Sequence, residues 1–125
     1  MTSTASNLSA RTCIPCEGGT TPLAQSEIQY LLRELDGWIH SGQEIAKAYH
    51  FRNYYETMAF VNAIAWISHN ENHHPDLEVS YQQCLVRYST HAIGGLSEND
   101  FICAAKVNRL LCTFAQATAR IESSG

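Results

Sequence analysis

The 125-residue sequence contains no run of about 18 apolar residues, the length a helix needs to cross a bilayer. It also lacks a surplus of positive charge. Lys and Arg number 8 against 12 Asp and Glu, giving a net charge of −4 with histidines neutral. Non-specific binding to nucleic-acid phosphates therefore has no electrostatic driver, and Lys47, Arg52, Arg87, Lys106, Arg109 and Arg120 are too scattered to form a basic stripe. Met1 to Ala10 has neither a basic start nor an apolar stretch, so it does not read as a secretory signal. Cys13 and Cys16 form a Cys-x-x-Cys pair, but no second pair follows and no strand-helix-strand pattern surrounds them. The pair reads either as a segment without a catalytic role or as part of a metal site completed by another group. Cys84, Cys103 and Cys112 fall within apolar patterns and read as reduced, partly buried residues. The expectation is a cytoplasmic protein without nucleic-acid or membrane partners.

The length fits one domain with a real core. Residues 1–20 are polar and aperiodic and read as a mobile arm; residues 21–120 read as the domain. Ile28, Leu31, Leu32 and Leu35 recur at helical spacing, which predicts a helix over about 22–35 with Pro22 in its first turn. Residues 38–40 and 44–51 read as two strands. Asn53-Tyr54-Tyr55-Glu56 is a capping signal for a long helix running to about Asn70, with Met58, Val61, Ile64, Ala65 and Ser68 on its apolar stripe and Phe60 and Ile67 nearby. Residues 77–81 and 84–90 alternate as strands. Ser97 to Asp100 is a second capping signal, opening a last helix whose stripe includes Phe101, Val107, Leu111 and Phe114. The order implies an α+β fold: a four-stranded antiparallel sheet with three helices packed on one face.

Against this background the histidines are conspicuous. Of six, His73 and His74 are adjacent and precede Pro75, and His91 follows at the end of the fourth strand. His69 stands one helical turn before the pair. Imidazole alone among side chains exchanges protons near neutral pH without perturbation. Pairing the third and fourth strands as a hairpin would bring His91 beside His74. Metal binding is the competing reading, because His69 and His73 are spaced i, i+4; the intervening residues do not follow the His-Glu-x-x-His order, and the helix is expected to end there. The acid–base reading needs one imidazole to accept a proton and another to donate one. Asp100, which follows His91 closely enough to serve, could fix a histidine tautomer, or could serve only the dipole of its own helix.

Residues His69 to Pro75, Tyr81, Thr90-His91 and Gly95 to Asp100 together resemble the pterin-4a-carbinolamine dehydratases, over about residues 22–118. The Cys-x-x-Cys arm and the run Asn53 to Pro75 look most like the bacterial branch, which accompanies phenylalanine hydroxylase. The resemblance implies a hydro-lyase that removes water from a 4a-hydroxytetrahydropterin and so recycles the hydroxylase cofactor, using no metal or cofactor of its own. It implies homodimers or homotetramers and possible association with the hydroxylase. The catalytic histidines carry over to His73, His74 and His91 and the family aspartate to Asp100. Pro75, Thr90, Ala92 and Ile93 would line the pterin site with the three histidines. Two departures stand out: His69 replaces an acidic residue common in the family, where it could tune the site, and Asn99 replaces a basic one of the animal branch. The alternative function is a non-catalytic dimerisation or regulatory module, with Phe101, Val107, Leu111 and Phe114 as its contact surface.

Overall fold

The structure, a computed structural model, describes the backbone of residues 5–15 and 20–124 and the side chains of residues 7–15 and 20–111. Cys16 and the side chains of Cys112 and Phe114 lie outside the described residues. Helix α1 (Gln25–Leu32) is followed by strands β1 (Ile39–Ser41) and β2 (Glu44–His50), helix α2 (Tyr54–Glu71), strands β3 (Asp76–Val79) and β4 (Gln83–Tyr88), and helix α3 (Glu98–Ser124). All strand pairs are antiparallel, in the order β1-β2-β4-β3.

Alternation along the central strands decides which sheet face is covered. Ile45 and Tyr49 of β2 and Cys84, Val86 and Tyr88 of β4 are buried, while their neighbours in sequence are only partly covered or exposed. The helices supply Ile28 and Leu31 from α1, Phe60, Ile64 and Ile67 from α2, and Phe101, Ile102, Ala104 and Val107 from α3 to the same core. Phe60 packs between Tyr49 and Phe51, with ring centroids 4.7 and 5.0 Å away. Burial of each such side chain stabilises the fold by about 1.5–3 kcal/mol. It also pushes the Cys84 thiol up to about 11, so this group packs as a neutral apolar side chain.

Several boundaries differ from the sequence reading, each for a local reason. Helix α1 is shorter at both ends. Pro22 precedes it and packs against Gly95, where an added Cβ would stand 2.8 Å from the proline ring. Ala24 has no capping side chain, so the Glu27 carboxylate accepts its N–H at 2.8 Å instead. The buried stripe of α2 is Thr57, Phe60, Ile64 and Ile67, rotated from the expected one. Phe60 and Ile67 carry more apolar area than Ala65 and Ser68, and burial follows area. Phe101 and Val107 are fully enclosed, so neither offers a contact surface to a partner.

The first residues also depart from the expected arm. Ala5–Ala10 forms a 3-10 turn, and Leu8 is 1% exposed within the main core. The Lys106 ammonium donates to the Ser9 carbonyl at 2.9 Å, and Arg11 pairs with Glu98 at 2.8 Å. Composition reads this stretch as unattached because its single large apolar residue, Leu8, has no periodic companion.

Candidate active site

The end of α2 is built by one backbone conformation. Asn72 adopts the left-handed region (φ 51, ψ 42), a conformation asparagine tolerates better than most residues. The N–H groups of Asn72 and His73 both turn back to the Ser68 carbonyl. The chain then leaves the helix abruptly, and Pro75 cannot resume it. His73 and His74 are thereby held at the junction between α2 and β3.

Strand pairing delivers the third histidine. Asp76 opposes Arg87 in the β3–β4 hairpin, so residues just before β3 lie beside residues just after β4. Beyond β4, Thr90 bridges to Gly95, its N–H reaching the Gly95 carbonyl at 2.9 Å. A short 3-10 turn, His91–Ile93, fills the loop, closed by Gly94 at φ 68. His73, His74, Thr90, His91 and Ala92 thus line one cleft of about 470 Å³.

Asp100 stands behind the cleft, with no exposure to solvent. Its Oδ1 accepts from His73 Nε2 at 2.7 Å, and its Oδ2 accepts from the Thr90 hydroxyl at 2.8 Å and the Ser97 N–H at 3.0 Å. Since the Thr90 proton is committed to the carboxylate, Ser97 Oγ donates to Thr90 Oγ1 at 2.8 Å. The expected capping box is therefore half formed: the carboxylate returns to the cap N–H, while the serine hydroxyl serves Thr90. A buried carboxylate with three donors is satisfied. In the neutral imidazole, Nε2 carries the proton donated to Asp100 and Nδ1 keeps the lone pair. The His73 ring lies stacked on Tyr88, centroids 5.8 Å apart and planes 11° from parallel. Imidazole position and orientation are thus set from two sides.

The remaining sequence-predicted residues are not brought in. His69 is exposed on the last turn of α2 and does not line the cleft, and neither Pro75 nor Ile93 does. Among the described residues no group of three or more His, Cys, Asp or Glu side chains is placed to hold a metal ion. Conversely, sequence reasoning missed Cys13, Ile14, Pro15, Glu71 and Asn99, all of which line the cleft. The Cys-x-x-Cys pair marked Cys13, Ile14 and Pro15, but it read as a segment without a catalytic role or as part of a metal site. Cys13 Sγ instead lies 3.5 Å from Cys103 Sγ, and this contact together with burial raises the Cys103 thiol far above its ordinary range.

Tyr88 supplies a separate prediction. Its hydroxyl is buried without a hydrogen-bond partner among the described residues, and burial drives its ionisation well above the ordinary value of 10.0. Tyr88→Phe removes an unsatisfied polar group while keeping the ring, and is expected to raise unfolding free energy by about 1 kcal/mol in urea titrations at neutral pH. The gain should grow above pH 10.0, the ordinary tyrosine value, because the unfolded wild type ionises there while the folded chain keeps its proton. Equal stability of the two proteins at both pH values would contradict this account.

Comparison with known proteins adds an independent line. The profile of the family described as pterin 4 alpha carbinolamine dehydratase matches residues 21–110. A protein of Nitrosospira multiformis, provisionally named a pterin-4-alpha-carbinolamine dehydratase, is 60% identical over 110 residues, covering 88% of this chain and 97% of its own. Among solved structures, a transcriptional coactivator/pterin dehydratase from Brucella melitensis superposes with a TM-score of 0.68 at 28% identity, covering 71% of this chain and 97% of the other. A pterin dehydratase-like protein described as a RuBisCO assembly factor in the alpha-carboxysome matches with a TM-score of 0.50 at 23% identity, over 58% of this chain and 84% of the other. This last likeness is one of fold alone. No helix among the described residues is long and apolar enough to cross a membrane.

Proposed function

The chain belongs to the pterin 4 alpha carbinolamine dehydratase family, and from that membership we propose that it dehydrates a 4a-hydroxytetrahydropterin to the quinonoid dihydropterin by histidine acid–base catalysis. The observation that carries this reading is the convergence of His73, His74 and His91 on one cleft, with Asp100 buried behind His73. The reaction breaks the bond between ring carbon 4a and its hydroxyl while the lone pair of ring nitrogen 5 forms a double bond to that carbon. One proton must reach the departing oxygen and one must leave the nitrogen. Each transfer by a positioned side chain contributes about 100- to 10,000-fold.

His73 is the base. Its Nε2 proton is engaged by Asp100, so the Nδ1 lone pair takes the proton from the ring nitrogen. His91, exposed at the cleft edge, protonates the departing hydroxide, which leaves as water. His74 orients the ring. The product would return to a hydroxylase cofactor pool, the phenylalanine hydroxylase association being part of the same proposal, in the cytoplasm. Strands β1 and β3 have a neighbour on one side only, and a homodimer or homotetramer would use such edges.

The test is the decay of a freshly generated 4a-carbinolamine with and without purified protein. Acceleration is expected in wild type. In His74→Ala, KM is expected to rise about tenfold with kcat within threefold, as for a group that binds ground and transition states alike. Absence of any acceleration would favour the second reading, a non-catalytic binding module. Exposed Tyr55 and Trp66 on α2, at 82% and 66%, give that reading a surface.

A further inference from the structure

A feature of the first fifteen residues goes beyond the histidine cluster. Cys13, Ile14 and Pro15 cross the cleft edge, and their backbone is held at consecutive residues by two side chains that line the same cleft. The Glu71 carboxylate accepts the Cys13 N–H at 2.8 Å. The Asn99 amide grips both sides of the next residue, accepting the Ile14 N–H at 3.0 Å and donating to the Ile14 carbonyl. Cys13 Sγ packs against Cys103 and reaches the Asn99 carbonyl at 3.7 Å. Glu71 is itself steadied by Lys106 at 3.6 Å, with side-chain exposures of 10% and 19%.

This is far more anchoring than the Ile14 side chain repays by its own burial, for Ile14 remains 69% exposed. A segment docked only for stability would bury its largest apolar residue. Here the fold immobilises the backbone of an apolar residue at a cleft while most of its surface stays exposed. Such an arrangement has already met the ordering cost of a contact that a ligand would complete.

We propose that Cys13–Pro15 form a wall of the substrate cleft, that Ile14 packs on a face of the bound bicyclic ring, and that Asn99 and Glu71 are positioning residues for it. The proposal rests on the dehydratase reading and extends its site to an element outside the matched residues 21–110. The ring would lie between this segment and the imidazoles, with its polar edge left to the histidines.

The experiment compares wild type, Ile14→Ser, Ile14→Leu, Asn99→Ala and the double variant Ile14→Ser/Asn99→Ala. Ile14 is exposed, so its variants test binding without disturbing the core. Binding of 7,8-dihydrobiopterin is measured by calorimetry and dehydration by steady-state kinetics. Ile14→Ser is expected to raise Kd and KM about tenfold with kcat within twofold, and Ile14→Leu to restore both. Asn99→Ala should weaken binding similarly. Because both act through one contact, the double variant should be no worse than the poorer single. Full affinity in Ile14→Ser, with wild type active, overturns the wall and leaves the dehydratase reading standing. Strict additivity overturns the positioning role of Asn99. A wild type that neither binds the pterin nor accelerates dehydration fails the dehydratase reading itself, and the wall with it.

Discussion

His73→Ala is expected to lower kcat for dehydration by about 100- to 10,000-fold with the fold retained. The size follows from the proposed role, acceptance of the ring-nitrogen proton by an imidazole whose Nε2 is engaged by Asp100. His73 has a side-chain exposure of 14% and rests on Tyr88 without being enclosed by it, so truncation leaves space at a cleft rather than a sealed void. His91→Ala should fall in the same range if it supplies the acid. Single-turnover rates near wild type for both variants would remove proton transfer by these residues from the mechanism.

The second large effect divides between stability and rate at one carboxylate. Asp100→Ala strips the acceptor from the Thr90 hydroxyl, the Ser97 N–H and His73 Nε2 at once. Buried donors left without partners cost about 1–3 kcal/mol each, partly relieved where water can enter from the cleft. A net loss of about 3 kcal/mol in urea unfolding is expected, with the thermal midpoint falling by about 10 °C. Asp100→Asn is the informative contrast. Its carbonyl oxygen can still receive Ser97 and Thr90, so most of the stability should remain. Its NH₂ group then meets His73 Nε2 as donor against donor, and the imidazole must adopt the other tautomer. The rate should drop by at least about 100-fold in a protein that unfolds nearly as the wild type does. An Asp100→Asn enzyme with full activity would show that the tautomer does not matter and that Asp100 is only a structural cap.

The proximity of the histidines was readable from the sequence because it depends on local pairing. A hairpin with Asp76 opposite Arg87 brings the two ends together whatever the rest of the chain does. Asn53 could be recognised as a cap because its side chain serves the nearby Glu56 N–H at 2.8 Å. The phase of α2 was harder. Met58, Val61 and Ile64 make as good a stripe as Thr57, Phe60 and Ile64, and the choice depends on what Tyr49 and Phe51 present from the sheet. The anchoring of the N-terminal segment was not readable, although the Cys-x-x-Cys pair marked its place. Its contacts join Cys13 to Glu71, Ile14 to Asn99 and Cys13 to Cys103, partners separated by 58, 85 and 90 positions. No periodicity encodes pairings at such range. Asp100 lay between these cases: both candidate roles could be written from sequence, and the structure shows one carboxylate engaged in both sets of contacts.

The left-handed bend at Asn72 has a consequence for how this site can vary. Backbone wells are discrete, so a substitution there does not nudge the imidazoles by tenths of an ångström. A side chain that cannot occupy the well forces the junction into another one and swings both rings together. The placing of the two imidazoles therefore depends on a torsional latch at position 72, whose left-handed well glycine, asparagine and aspartate occupy most readily.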